Sequence, residues 1–272
     1  MNNIKILVCC HKKSFYAKDY PYLPIQVGKS ISNLDLGIQG DNEGPNISQK
    51  NKTYCELTAI YWAWKNLKSA EYIGLCHYRR YFDFHHQCKK GFRPTCFPEK
   101  EGIEKLDLNI PLKEIGSLGD SKIILSRPES CSTNLFMQYC TYHFSDDLRI
   151  LGSVIKEFSP NIYSAFKTVM YHQNMLSPYN MFIMSRVNFD EYCNWLFFIL
   201  AELEKRVHIE YYSDFNKRIF GFMGERLLNV WIKWKGIKPI YRPIIMLSDS
   251  KNDNIIVSYL KYIKHKLGFI FT

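Results

Sequence analysis

The sequence predicts an α/β fold with a mixed sheet flanked by helices. Three observations carry that expectation. Short apolar runs of strand length recur along the 272 residues, at 4–9, 71–76, 122–126, 180–185 and 240–247. Amphipathic stretches of helical period alternate with them, at 51–67, 145–158, 164–171, 190–207 and 225–235. One apolar run ends in a polar cluster, as strands of such sheets do where ligands bind.

The first run, IKILVC, ends at Cys10, His11 and Lys12. A Gly/Asp/Asn/Pro-rich loop at 37–48 is too long for a plain turn and is expected to be functional. In 51–67, Leu57, Ile60, Tyr61 and Trp64 recur at steps of three and four, with Ser48 or Asn51 as the cap. Trp62 and Trp64 flank Ala63, cannot share a helix face, and so only one belongs to the core. The stretch 83–119 reads as irregular. Ser145 is the expected cap of the next helix, with Asp146 and Asp147 in its first turn. Cys193, Leu196, Phe197, Leu200 and Leu203 mark the helix at 190–207.

A chain with 46% apolar and 15% aromatic residues can bury a full core. Its formal charge of +10 favours anionic partners, but the Lys and Arg are dispersed and no nucleic-acid motif appears, so no nucleic-acid partner is expected. Nine cysteines without a CxxC pair suggest buried thiols in the reducing cytoplasm. The start MNNIKILVCC lacks a leader pattern, and no run approaches the ~20 apolar residues of a membrane span. Residues 1–250 read as one domain. The segment 251–272 is basic and aromatic: Tyr259, Tyr262, Ile263 and Leu267 share one helical face and Lys261, Lys264 and Lys266 another. It fits either a peripheral contact with an anionic membrane or a terminal helix docked on the core.

The chemistry concentrates in YIGLCHYRRYF. A buried strand delivers His77, Tyr78, Arg79 and Arg80 to its carboxyl end, where guanidinium forks suit phosphate oxygens and a ring can stack on a base or sugar. The plain alternative is an exposed strand end with two surface arginines. Asp41, Asn42, Asn46 and Ser48 could bind hydroxyls from the polar loop, or serve its Asx turns. Glu225 follows FGFMG at the mouth of the last helix; it is a candidate general base or a first-turn acid complementing the dipole. Asp146 and Asp147 form the rival acid cluster, although their helix start explains them and adjacent positions face apart.

The stretches NISQKNKTYCELTAIYWAWKN, YIGLCHYRRYF, SPYNMFIM, FDEYCNWLF and FGFMGERLLNVWI resemble the domain-of-unknown-function 4422 family, found among bacterial capsule, exopolysaccharide and O-antigen genes. The resemblance spans residues 4–243. It implies a GT-A-like glycosyltransferase, with galactofuranose or galactose transfer among its members. The donor does not follow from the resemblance; the expected reaction uses a UDP-sugar donor and a lipid-linked oligosaccharide acceptor. His11, Lys12, His77, Tyr78, Arg79 and Arg80 would then bind nucleotide and diphosphate. Asp41, Asn46, Ser48 and Asn180 would bind donor or acceptor. Most GT-A enzymes place an acidic DxD at the strand end now held by His77-Tyr78-Arg79-Arg80. With no carboxylate until Asp83, fixed arginines can offset the charge on the leaving UDP, and metal-independent transfer without a cofactor is expected. Glu225 is the base if the reaction inverts; a retaining enzyme needs none.

Overall fold

The computed structural model describes residues 3–88 and 95–248, giving the backbone alone at 95, 96, 98 and 99. The segment 251–272 lies outside the described residues. The chain begins with β1 (Ile4–Cys10), β2 (Tyr22–Gln26) and the short β3 (Gln39–Gly40). Helices α1 (Asn51–Tyr54) and α2 (Leu57–Asn66) lead to β4 (Tyr72–His77) and β5 (Arg80–Phe82). Then come β6 (Thr95–Pro98), α3 (Glu99–Lys105), α4 (Leu112–Gly116), β7 (Lys122–Ser126) and β8 (Glu129–Ser130). Three helices follow, α5 (Leu135–Cys140), α6 (Ser145–Phe158) and α7 (Pro160–His172), then β9 (Met175–Leu176), β10 (Phe182–Ser185) and α8 (Arg186–Glu204). The described chain closes with α9 (Ile219–Lys235), β11 (Lys238–Arg242) and β12 (Ile244–Ser248).

The main sheet runs β11-β7-β10-β4-β1-β2-β3. Strand β1 is parallel to both neighbours, whereas β10 is antiparallel to β4 and β7. Beyond β4 the chain doubles back as β5, which pairs with β12. Period-two alternation divides the core. Leu7, Ile73, Leu75, Phe182 and Met184 face the cluster built with α2 and α6 to α9, and Ile6, Val8, Cys76 and Ile183 face a second cluster with β5, α4 and β12. Burial on both faces explains why these strands are apolar without alternation in the sequence. The cysteines whose side chains are described carry free thiols. Among the described residues no helix is long and apolar enough to cross a membrane.

Several boundaries differ from expectation. The helix foreseen at 51–67 is broken at Cys55. Helix α9 begins at Ile219, so Glu225 is its seventh residue and not a first-turn acid. Ser145 is the first residue of α6 and makes no capping bond. The stretch 83–119 contains β6, α3 and α4, and the last strand is split by Pro243 into β11 and β12. Strand β2 went unrecognised because Pro24 interrupts a five-residue run.

Candidate active site

The carboxyl ends of β1 and β4 open into a pocket of about 800 Å³. Cys9 and His11 enter it from β1, and His77, Tyr78, Arg79 and Arg80 from β4 and its turn. The break between α1 and α2 supplies Cys55 and Glu56; the α9 side supplies Arg218, Gly221, Phe222 and Glu225. Arg218, just before α9, lies three and four residues ahead of Gly221 and Phe222, and Glu225 follows them by four and three, so all four flank one side of the helix.

The helix break has a local cause. Cys55 takes φ 52°, ψ −132°, a conformation that costs a residue with a Cβ of order 1–3 kcal/mol. Its carbonyl accepts from Asn51 Nδ2 (2.8 Å) and the Thr58 amide (3.2 Å), which hold it there. Gly221 packs on the kink: a Cβ at that position would lie 3.0 Å from Cys55 Sγ. Gly224 likewise leaves room for Leu57, 2.9 Å from where its Cβ would stand. These glycines let α9 approach the kink, rather than a backbone approach a ligand. The kink turns Glu56 into the pocket.

A turn at Tyr179 and Asn180 ties the two sides together. Both residues have positive φ, 76° and 53°. The Tyr179 amide donates to Glu225 Oε1 at 2.5 Å, and its carbonyl accepts from His77 Nε2 at 2.8 Å. Its hydroxyl lies 2.6 Å from Glu129 Oε1. Asn180, 1% exposed, donates from Nδ2 to Glu56 Oε1 (2.6 Å) and to the Gly221 carbonyl (3.3 Å). One strained turn thus fixes both pocket glutamates.

Burial raises the pKa of Glu225, against the lowering effects of Arg226 and the Tyr179 amide. Burial also raises that of Glu56, with Asn180 opposing. His77 is pushed down to about 3, by burial first and Arg80 second, so at neutral pH it is an uncharged imidazole whose Nε2–H donates to Tyr179.

The fixed cations surround these carboxyls. The Arg80 guanidinium lies 4.7 Å above the Tyr179 ring, and its Nε is buried without a hydrogen-bond partner. Arg79 Nε donates to the Leu247 carbonyl at 3.0 Å. Arg218 reaches Cys55 Sγ at 3.3 Å, and Lys52 and Lys217 also line the pocket. A divalent metal on the GT-A plan needs carboxylate oxygens at the end of β4, where this chain carries a histidine, a tyrosine and two arginines. Asp83, the first acid beyond, spends its oxygens on the amides of His85, Gln87 and Cys88. Among the described residues no group of three or more His, Cys, Asp or Glu is placed to hold a metal ion. The donor set does not fit a metal there.

Of the residues singled out from sequence, His11, His77, Tyr78, Arg79, Arg80 and Glu225 line the pocket. Lys12 sits beside it, 5.8 Å over the Tyr78 ring, and Asn180 stands behind Glu56. The polar-loop residues do not enter. Asp41 is fully buried and accepts from the Gly28 and Lys29 amides, Ser48 Oγ and Thr58 Oγ1, so its carboxylate organises the loop. Asn46 donates to the Asn42 and Gly44 carbonyls. Asp146 pairs with Arg149 on the surface, and Asp147 accepts from Tyr212 at 2.7 Å; neither lines the pocket. Sequence reasoning missed Glu56, Tyr179 and Arg218. The SPYN tetrapeptide, with its Pro and Asn, was the available signal for the turn.

No curated protein matches the sequence significantly. Among solved structures, the chain is similar to one titled "WbbM bifunctional glycosytransferase apo structure", with a TM-score of 0.82 and 30% identity. The match covers 91% of this chain and 46% of that one, so the chain spans about half of its neighbour's length. The model of the family described as "Domain of unknown function (DUF4422)" matches residues 5–236. The chain therefore belongs to the DUF4422 family.

Proposed function

We propose that the chain is a glycosyltransferase that moves a hexosyl unit, galactosyl or galactofuranosyl, from a UDP-sugar to a lipid-linked oligosaccharide of a bacterial surface polysaccharide. The observation that carries this reading is the juxtaposition of Arg80, with its unpartnered Nε, and the half-buried carboxyl of Glu225 in one pocket. The likeness to a bifunctional glycosyltransferase supports it.

In the reaction we infer, His11 and Tyr78 flank the nucleotide, and Arg79, Arg80 and Arg218 face the diphosphate. Glu225 takes the proton of the acceptor hydroxyl as its oxygen attacks the anomeric carbon. The bond from that carbon to the UDP oxygen breaks on the opposite face, inverting the centre. The electron pair leaves with UDP, where the guanidiniums stabilise it. This assigns the metal's usual task to arginine. The raised pKa of Glu225 suits a base, since a stronger conjugate base takes a proton more readily. The basic segment 251–272 would hold the chain at the membrane face that displays the acceptor.

The test is UDP release from UDP-galactose, UDP-galactofuranose, UDP-glucose and UDP-N-acetylglucosamine, in EDTA and again with Mn²⁺. Release from at least one donor in EDTA is expected. Activity that appears only with Mn²⁺ overturns the metal-independent mechanism, and a product of retained configuration removes the base from Glu225.

A further inference from the structure

A second feature of the pocket lies at its mouth. Phe222, on the pocket face of α9, is the inner member of a contiguous aromatic wall. The His143 ring lies 4.3 Å from it and stacks on Phe215 at 5.4 Å and 16°; Phe215 in turn lies 5.2 Å from Phe222. The wall continues outward through Phe144 against Tyr212 at 4.4 Å. Phe215 is 51% exposed and Phe144 48%, and Met137, Tyr142 and Tyr211 beside them in sequence are exposed as well. Five of the exposed large apolar side chains thus crowd into residues 137–144 and 211–215. Scattered exposed apolar residues are ordinary, but a contiguous patch running into a pocket marks a binding surface.

Polar groups are interleaved with these rings. His143 donates from Nδ1 to Asn216 Oδ1 at 2.9 Å, and burial lowers its pKa, which leaves a neutral ring with Nε2 as an acceptor. Asp214 and Lys217 flank Phe215 and line the pocket. A saccharide ring presents an apolar C–H face and a rim of hydroxyls. It needs a flat aromatic partner for the first and fixed donors and acceptors for the second.

We propose that this wall is the acceptor subsite, taking a saccharide ring stacked on Phe215 with its attacking hydroxyl directed past Phe222 toward Glu225. The inference rests on the glycosyltransferase reading for its role, though not for its ligand class. A lipid surface is the competing occupant. It is disfavoured because Phe215 is held against His143 and Phe222, in a wall that leads into the pocket rather than out from a loop tip.

The test uses the full chain and its Phe215→Ala and Phe215→Trp variants. Saturation-transfer NMR with methyl β-galactopyranoside and galactobiose reads sugar contact directly. Calorimetry with UDP reads the inner pocket. The wild type should saturate the sugar ring protons, Phe215→Ala should lose that signal at unchanged UDP affinity, and Phe215→Trp should restore it. In a transfer assay the acceptor KM should rise about threefold to tenfold in Phe215→Ala, the size of one aromatic contact, with donor hydrolysis unaltered. No saturation of either sugar by the wild type, or equal saturation in Phe215→Ala, overturns the proposal. So does a Phe215→Ala chain that binds sugar normally but no longer sediments with phosphatidylglycerol vesicles. If no UDP-sugar is turned over while Phe215-dependent saturation persists, the transfer reading fails and the saccharide site stands.

Discussion

Replacing Arg80 by alanine should have opposite consequences for the empty protein and for its complex with UDP. In the empty pocket Arg80 Nε is buried with no partner. An unsatisfied buried donor costs roughly 1–3 kcal/mol. The guanidinium over the Tyr179 ring at 4.7 Å returns about 0.5–2 kcal/mol. The two largely offset each other, so Arg80→Ala should change ligand-free stability by at most about 2.5 kcal/mol, which for a domain of this size is within roughly 10 °C in Tm. With UDP bound, the variant loses a charge-assisted contact of about 1.5–3 kcal/mol, a Kd some 10–100 times higher. At UDP equal to 100 times the wild-type Kd, the wild type gains about 2.7 kcal/mol and the variant only about 0.4–1.4 kcal/mol. Differential scanning fluorimetry with and without UDP measures both quantities at once. Lysine should rescue poorly because it lacks the fork. A ligand-free Tm that collapses would make Arg80 a structural residue, and an undiminished UDP shift would remove it from the diphosphate site.

Four further outcomes are expected. Glu225→Gln should bind UDP normally and lose transfer by ~10²–10⁴-fold, whereas Asp146→Asn and Asp147→Asn, outside the pocket, should stay close to wild type in the same assay. The Glu225 carboxyl titrates above its ordinary range in the folded chain. Wild-type activity should therefore rise with pH through that raised value, while the folded state loses stability between the ordinary carboxyl value and the raised one because the unfolded chain releases the proton earlier; in Glu225→Gln the activity slope should vanish and the stability slope should shrink to the part that Glu56, also raised by burial, supplies, as pH-rate and pH-melting profiles would show. Gly221→Ala forces a Cβ to 3.0 Å from Cys55 Sγ and should destabilise by about 1–3 kcal/mol in urea unfolding, with a fall in activity as the kink moves Glu56 and Asn180. Deleting residues 259–272 should reduce sedimentation with anionic liposomes and leave UDP affinity intact by calorimetry.

The strands and the pocket lining from His77 to Arg80 were legible because one local signal marks them. Ile73, Leu75 and Cys76 form an apolar run that stops at charged residues, and a strand's end is where an α/β sheet binds ligands. Glu56 was not legible. The pattern Leu57, Ile60, Tyr61 and Trp64 continues smoothly from residue 51, and no Gly or Pro announces a break. The kink at Cys55 is imposed by Asn51, Thr58 and the approach of α9, contacts that periodicity does not encode. The start of α9 was misread for the converse reason. Gly221 and Gly224 read as loop residues, yet they serve close packing between helices. Asp41 reads from the sequence as a group that binds donor or acceptor, but its four donors all come from the chain itself.

The antiparallel course of β10 sets a constraint on chain length. Phe182 pairs with Leu75 and Ser185 with Tyr72, so the residues just before β10 arrive beside the last residues of β4. That is why Tyr179 meets His77 and Asn180 meets Glu56. The distance from the core to the site is counted here in single residues. An insertion between Asn180 and Phe182 would have only two resolutions. It could slide the strand by one, carrying Phe182 and Met184 to the opposite face of the sheet. Otherwise it could bulge at the turn and release both glutamates from their donors. Surface loops that carry no pocket residue can lengthen or shorten between relatives, since loop length alone adds little to the entropy of closure. The interval from Pro178 to Phe182 has no such latitude, and descendants of this chain should keep its residue count even where they change its letters.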